Sequence, residues 1–328
     1  MKKILTCVSW AVMALAAGEA AAQSSVTAFG LLDVSAGTSK APGANASVKG
    51  VDSGKMTTSY IGFKGNEDLG GGLSALFQLE SFLRADAGLN GRFTGDNFWA
   101  RNALVGLSSK ELGTVKIGRN TTTLIVSALN FNAFGDSFGY SPTIRHIFSS
   151  NTVTGDSGWS DSVLYTTPSF GGFTASAFVA AGEGSGGRNV AASGTYVAGP
   201  LGASLVYQKV RKDNGATPVD DTTTWMGSGS YDFGVVKLFA QYAKATNDTK
   251  HIDYKISELG ASVPIGQGKL LVQYGQIRQS VGAGRKTWSF GYDYWLSKRT
   301  DMYLVGMSDR IDGLSAGNSL SVGMRHRF

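Results

Sequence analysis

The chain has 328 residues, a formal charge of +6 and 45 glycines, about twice the ordinary ~7% share of that residue. Only 16% of residues are charged while 42% are hydrophobic and 11% aromatic, so the chain is no disordered polyelectrolyte, and six prolines without a three-residue glycine period exclude collagen. A mean hydropathy of −0.04 is too low for a bundle of membrane helices, and a soluble helical enzyme is also disfavoured.

In chain order, Lys2 and Lys3 precede an apolar run from Ile4 to Ala17 and small residues ending Ala20-Ala21-Ala22, the pattern of an export signal over residues 1–22. Cleavage there leaves residues 23–328. The single cysteine, Cys7, goes with the leader, so no disulfide, thiolate catalysis or cysteine-ligated metal is expected. Basic residues are spread without a cluster, and an exported chain of this kind is not expected to bind nucleic acid.

Beyond the leader no run of ~18 apolar residues occurs. Alternation of period two dominates instead. Leu201, Ala203, Leu205 and Tyr207 alternate with Gly202, Ser204, Val206 and Gln208. Trp288, Phe290, Tyr292 and Tyr294 alternate with Thr287, Ser289, Gly291 and Asp293. The final segment sets Leu320, Val322, Met324, His326 and Phe328 against Ser321, Gly323, Arg325 and Arg327. Each strand has one greasy face and one wet face.

Between the strands, short connections at 67–70, 109–113, 167–171, 198–200, 232–234, 264–268 and 296–299 alternate strictly with longer polar ones. The longer ones fall near 38–53, 85–96, 121–160, 182–188, 211–221, 246–251, 279–285 and 309–317. Seven short and eight long connections imply sixteen strands. A β-sandwich with Greek-key crossings has no reason to sort its connections by length, whereas an up-and-down membrane barrel does so by geometry. The expected fold is therefore all-β, a 16-stranded antiparallel transmembrane β-barrel wide enough to enclose water. Closure pairs every backbone group without an edge, which lipid demands. The lumen side need only be small or polar, which accounts for the glycine, serine and threonine. Tyr231, Phe233, Tyr292, Tyr294, Trp295 and Phe328 are placed for the headgroup level.

At this level of detail the sequence resembles the general trimeric porins of Gram-negative outer membranes, most closely their β-proteobacterial branch. The resemblance is carried by Ser25-Val26-Thr27-Ala28-Phe29-Gly30-Leu31-Leu32-Asp33, by Ile61-Gly62-Phe63-Lys64-Gly65-Asn66-Glu67-Asp68-Leu69-Gly70, by Val105-Gly106-Leu107 and by Gly118-Arg119. It continues in Asp161-Ser162-Val163-Leu164-Tyr165-Thr166-Thr167-Pro168-Ser169-Phe170-Gly171-Gly172-Phe173 and in the ending Gly323-Met324-Arg325-His326-Arg327-Phe328. It implies a cofactor-free homotrimer set in outer-membrane lipid and lipopolysaccharide that passes small hydrophilic solutes and ions. It also implies that Phe328 is a signal to the barrel-assembly machinery.

The same resemblance implies that the third loop, roughly 121–160, folds into the barrel and narrows it, with loop carboxylates facing basic wall residues. Carried over by position, Arg101 and Arg119 are the wall arginines, Glu80 and Gln78 lie on the polar face of the neighbouring strand, Asp136 is the loop carboxylate and Arg145 a loop base. Two arginines usual in relatives are replaced here, by Tyr60 and by Gly158 followed by Trp159. Alternation sets Lys64 beside Tyr60, either lining the pore or facing phosphates near the short-turn end. A charge of +5 after removal of the leader leans weakly toward anions.

Other motifs are declined. Gly135-Asp136-Ser137-Phe138-Gly139 has nucleophile-elbow spacing but no helix pattern or triad behind it. Gly182-Glu183-Gly184-Ser185-Gly186-Gly187 has dinucleotide-loop spacing ahead of a strand. His146, His251 and His326 stand apart from one another, and no metal is expected. Asp220-Asp221 reads as a solvated loop before a calcium site. A barrel hydrolase built on His146 with Ser149 or Ser150 is the rival in another class, and a plugged structural barrel is the third.

Overall fold

The computed structural model describes residues 25–150, 152–184, 187–212 and 219–328, so the expected leader lies outside the described residues. In chain order the strands are β1 (Ser25–Lys40), β2 (Val48–Ser53), β3 (Tyr60–Gly70), β4 (Leu73–Arg84), β5 (Leu89–Asn90), β6 (Asn102–Ser109), β7 (Gly113–Thr121), β8 (Gly158–Thr166) and β9 (Phe173–Ala180). They continue as β10 (Asn189–Ala198), β11 (Leu201–Val210), β12 (Thr222–Asp232), β13 (Lys237–Asn247), β14 (Ile252–Ile265), β15 (Gly268–Gln279), β16 (Arg285–Trp295), β17 (Thr300–Ile311) and β18 (Gly317–Arg327). Two short helices, α1 (Thr123–Asn130) and α2 (Pro142–Phe148), stand between β7 and β8.

Neighbours in sequence are neighbours in the sheet, every pairing is antiparallel, and β1 closes on β18 from Leu31↔Arg327 to Lys40↔Asn318. The edge that would otherwise expose unpaired backbone is thereby removed. β4 pairs directly with β6, which makes β5 a short rung on the end of β4. β2 and β3 are two pieces of one stave, since β1 pairs with β2 as far as Val34↔Ser53 and with β3 from Leu31↔Tyr60. Three steps on β1 face seven on the other side, so four extra residues leave the ladder around Gly54–Ser59. With that stave counted once and β5 left out, the barrel has sixteen staves, as the connection pattern predicts.

Alternation predicts the faces well. On β16 Trp288, Phe290 and Tyr294 are exposed while Thr287, Ser289 and Asp293 are buried. On β18 Leu320, Val322 and Met324 are exposed while Ser321 and Arg325 are buried. No described helix is long and apolar enough to cross a membrane. The short connection after β3 shifts slightly: the ladder runs through Glu67 and Asp68, with an irregularity between Asp68 and Gly70. The chain then turns on Gly70, Gly71 and Gly72 at φ of +81°, +60° and +80°, a run open to glycine because a Cβ disfavours that region. The first long loop is shorter than expected, 41–47, because β1 and β2 pair beyond the predicted ends.

One feature is not legible in the alternation. The polar face of β11–β15 carries Val206, Met226, Ala243, Ala245, Ile256 and Ile277, all buried in a cluster with residues of α1 and α2.

Candidate pore wall and its loop

The 122–157 connection is built for packing. Thr122 caps α1 by accepting from the Ile125 amide at 3.4 Å, and Ser141 caps α2 by accepting from the Ile144 amide at 3.4 Å, with Pro142 in the first turn. These pairings satisfy helix amides that have no intrahelical partner. Leu124, Ala128, Ile144 and Ile147 are buried against the apolar wall residues of β11–β15. The turn between the helices buries Ala133, Phe134 and Tyr140 against Met56, Phe239, Leu271, Tyr303 and Val305.

Polar ties accompany the apolar contact. Gln273 donates to Thr143 at 3.0 Å, Ser289 to the Tyr140 carbonyl at 2.6 Å, and the Gln241 amide to the Ser127 carbonyl at 3.3 Å. The Lys55 carbonyl accepts from Ser137 at 2.7 Å and from the Gly139 amide at 2.9 Å. The residues that interrupt the second stave are therefore spent on holding the loop.

His146 on α2 is completely buried, with Nδ1 2.9 Å from Glu258 Oε1 and Nε2 3.0 Å from Thr287 Oγ1. Thr287 gives its single proton to Asp309 Oδ1 at 3.0 Å, so Nε2 of His146 must be the donor to Thr287. Burial, and next the charge of Arg285, push the imidazole down to about 3, which keeps it neutral. Nδ1 then accepts, and Glu258 supplies that proton. Both ring nitrogens are engaged away from serine. Ser150 donates to the Arg145 carbonyl and accepts from Arg285. The arrangement gives a hydrolytic serine no base.

The expected site residues fall into three places. Tyr60, Lys64, Glu80 and Arg101 come together on one stretch of wall, where Gly62 faces Glu80, Lys64 faces Gln78 and Tyr60 faces Phe82 across β3 and β4. Glu80 accepts from Gln78 at 2.9 Å and from Asn102 at 2.5 Å, and Arg101 Nε lies 3.1 Å from it. The Arg101 guanidinium sits 4.2 Å from the Tyr60 ring centroid and 5.5 Å from that of Phe82, a cation–π clamp on a side chain 28% exposed. Lys64 is exposed, its Nζ 4.9 Å from the Phe29 ring.

Arg119 lies elsewhere. It is buried, donating from Nε to the Ala100 carbonyl, from Nη1 to Ser160 and from Nη2 to Asp156 at 2.6 Å. Asp156 also takes two bonds from Arg92, at 2.6 and 3.0 Å. Burial raises the Asp156 carboxyl, but the bonds and charges of Arg92 and Arg119 outweigh it and hold the group down at about 2.

The third place lies on the other side of β1, toward β17 and β18. Asp136 accepts from Thr57 at 2.8 Å, and Thr57 in turn accepts from Arg325 at 2.9 Å. Arg145 pairs with Asp309 at 3.0 Å, a carboxylate shared with Arg285. Burial pulls the Arg145 guanidinium down from its usual value, and the nearby Arg285 charge adds to that. Phe328 joins its backbone to Gly30 on both sides, at 3.1 and 3.2 Å, and the residue is 44% exposed.

Sequence reasoning missed the partners: Arg285, Asp309, Arg325, Asp293 and Asp301. Their signal was the alternation itself, because each stands at a wet-face position of β16, β17 or β18, as Arg285 and Asp293 do in step with Thr287, Ser289 and Gly291.

The sequence profile of the Gram-negative porins matches residues 9–314. An outer membrane porin of Delftia acidovorans, porin protein 32, is 33% identical, and one of Bordetella pertussis is 31% identical; each alignment covers all of both chains. The solved structure of an anion-selective porin from Comamonas acidovorans superposes with a TM-score of 0.80 at 28% identity, covering 93% of this chain and 100% of that one.

Proposed function

The chain belongs to the Gram-negative porins of the outer membrane, and on that premise we propose that its water-filled bore is narrowed by the inward-folded 122–157 segment, leaving Tyr60, Lys64, Glu80 and Arg101 as the wall past which solutes move. The channel is a passive one and carries out no catalysis. The observation that supports this reading is that the apolar side of α1 and α2 is buried on wall residues of the strand face opposite the exposed apolar one. On the β1 side of the Arg101 wall, Asp136 supplies negative charge where it accepts from Thr57, and Arg145 lies on the same loop.

The proposed selectivity is a weak preference for anions. Arg101 has its Nε beside Glu80 and its planar faces on rings, which leaves the terminal nitrogens for a passing solute. Export through cleavage after Ala22, recognition of Phe328 by the assembly machinery, and a homotrimer in lipid and lipopolysaccharide complete the proposal.

Planar-bilayer recording tests it. Large ohmic steps in simple salt are expected, with a reversal potential across a salt gradient on the anion side. A silent barrel that is correctly folded would make it a plugged structural protein instead.

A further inference from the structure

Asp33 stands where the ladder beside β1 is interrupted. β1 pairs with β2 as far as Val34↔Ser53 and with β3 from Leu31↔Tyr60, so the ladder on that side skips Leu32 and Asp33. Leu32 points outward and is exposed, whereas Asp33 is completely buried on the lumen face. The 54–59 excursion of the second stave fills the gap around it. The Asp33 amide donates to Ser59 Oγ at 2.9 Å, and the Asp33 carbonyl accepts from Ser59 Oγ at 3.2 Å and from the Gly54 amide at 3.0 Å. Oδ2 of its carboxylate accepts from the Met56 and Thr57 amides, at 2.7 and 2.8 Å, and Oδ1 accepts from the Tyr303 hydroxyl at 2.7 Å.

A carboxylate taken out of water needs donors in place of its hydration. Here two of them are consecutive backbone amides of the excursion, and the third comes from two strands away. Tyr303 on β17 is directly opposite Gly323 on β18, where a Cβ would overlap the Tyr303 ring and hydroxyl. The missing side chain at 323 lets Tyr303 lie across β18 and reach Asp33.

The excursion in turn holds the loop. Its middle residues, Lys55, Met56 and Thr57, each take a different part of the 133–140 tip. The Lys55 carbonyl accepts from Ser137 and from the Gly139 amide, and it approaches so closely that a Cβ at 139 would stand 2.7 Å from its oxygen. Met56, 2% exposed, packs with Ala133, Phe134 and Tyr140. Thr57 donates to Asp136 and accepts from Arg325. The two residues whose amides Asp33 fixes are therefore the two whose side chains meet the tip. α1 and α2 are secured separately, on β11–β15.

We infer that Asp33 is the positioning residue for the tip of the pore loop: it fixes the 54–59 excursion, and the excursion fixes residues 133–140 and with them the charge of Asp136. The inference rests on the reading that this loop narrows the bore, and adds to it the residue that sets where the tip stands. Hydrogen bonds rather than charge do this. An asparagine at 33 can reproduce them, its oxygen accepting from the Met56 and Thr57 amides and its NH2 donating to the Tyr303 oxygen, whereas alanine reproduces none.

Hydrogen–deuterium exchange of the full barrel in detergent, read by mass spectrometry beside single-channel recording, tests this. In Asp33→Ala the segments 54–59 and 133–140 are expected to exchange roughly tenfold faster, as amides that have lost their clasp do, while α1 and the strands keep their wild-type rates. The open-channel current should become noisier as the tip moves in the bore. Asp33→Asn is expected to restore wild-type exchange and current although the charge is gone. Equal exchange in Asp33→Asn and Asp33→Ala would overturn the inference. So would a 133–140 segment that keeps its rate in Asp33→Ala, or one that quickens only together with the whole barrel. Where Asp33→Ala does not fold, Ser59→Ala removes the hydroxyl that clasps the Asp33 backbone; the same two segments should then exchange about threefold faster, and unchanged rates would overturn the inference. Faster exchange in both segments with an unaltered current would uphold the positioning role and refute the narrowed bore, so the two failures are told apart.

Discussion

Two halves of the same wall have been put to opposite uses. On β11–β15 an apolar cluster of lumen-side residues is buried with α1 and α2, tied at its edges by Gln241, Glu258 and Gln273, so that half behaves as the core of a soluble domain. On β3, β4 and β6 the corresponding positions are Tyr60, Lys64, Gln78 and Asn102, open or partly open around a buried Glu80, and linked by hydrogen bonds and cation–π contacts. A barrel of sixteen staves leaves a wide hollow; on the proposed reading, a loop filling one half sets the bore without changing the strands. On that reading, selectivity and stability are divided between opposite sides of one cylinder.

The largest effect is expected where the two uses meet. Ile144 is completely buried between α2 and the wall, and Ile144→Asp would leave an unpaired charge there, at a cost well above the ~1 kcal/mol typical of a point change. The loop should leave the wall, with single-channel conductance rising and larger solutes entering in liposome swelling. Unchanged conductance in a variant that folds would mean that the loop does not set the bore.

Next comes Arg119→Met. Breaking a buried pair by removing one partner costs about 3–5 kcal/mol as an upper range, and Arg119 is 8% exposed with its charge on Asp156. A lower melting temperature with an unaltered reversal potential is expected. The sequence reading of Arg119 as a pore arginine makes the opposite forecast, a shift toward cations, so a salt-gradient measurement on this variant decides between the two.

Acid should loosen the loop in two windows. His146 is depressed from its ordinary 6.5 to about 3, so the unfolded chain takes up its proton first. Between about pH 6.5 and 4.5 the proton that Glu258 carries in the folded pair offsets this, so stability falls as pH drops from about 4.5 toward 3. Asp156 is depressed from 3.8 to about 2; its contribution is whole above about pH 4 and is lost as pH falls through 2. Melting temperature followed from pH 7 to pH 2 should show both, and His146→Gln should flatten only the upper one. A variant whose profile keeps the upper window would assign that window to another group.

The strand count, the closure and the two faces were readable because lipid imposes alternation on every stave and geometry sorts its connections by length. Glu80 was readable as a wet-face residue, whereas Arg101 and Tyr60 were reached only through the family resemblance by position, Arg101 standing just ahead of β6. The apolar patch at Val206, Met226 and Ile256 was not, since a buried lumen position is indistinguishable from a lipid-facing one until the loop that covers it is known. Nor was the burial of Arg119: an irregularity between Gly118 and Asn120 in the ladder with β8 lies beside it, and alternation cannot foresee such a shift. The helices α1 and α2 escaped notice because eight and seven residues are too few for a helical period to stand out.

The smallest expected effect is the one that addresses the bore directly. Tyr60 stands where the family resemblance implies an arginine, and here its ring supports Arg101 at 4.2 Å. Tyr60→Arg would set a second cation beside the first. In water a unit charge about 4 Å away contributes about 1 kcal/mol, or roughly fivefold in a permeability ratio, and salt in the bore reduces that. The anion preference should rise by a few fold in dilute salt and less in concentrated salt. Arg101→Gln should move it the other way by a similar factor, because it leaves Glu80 on the wall without its cation. If both variants keep the wild-type reversal potential at low salt, this stretch of wall does not face the solute path, and the selective charges must be sought near Arg325 and Asp136.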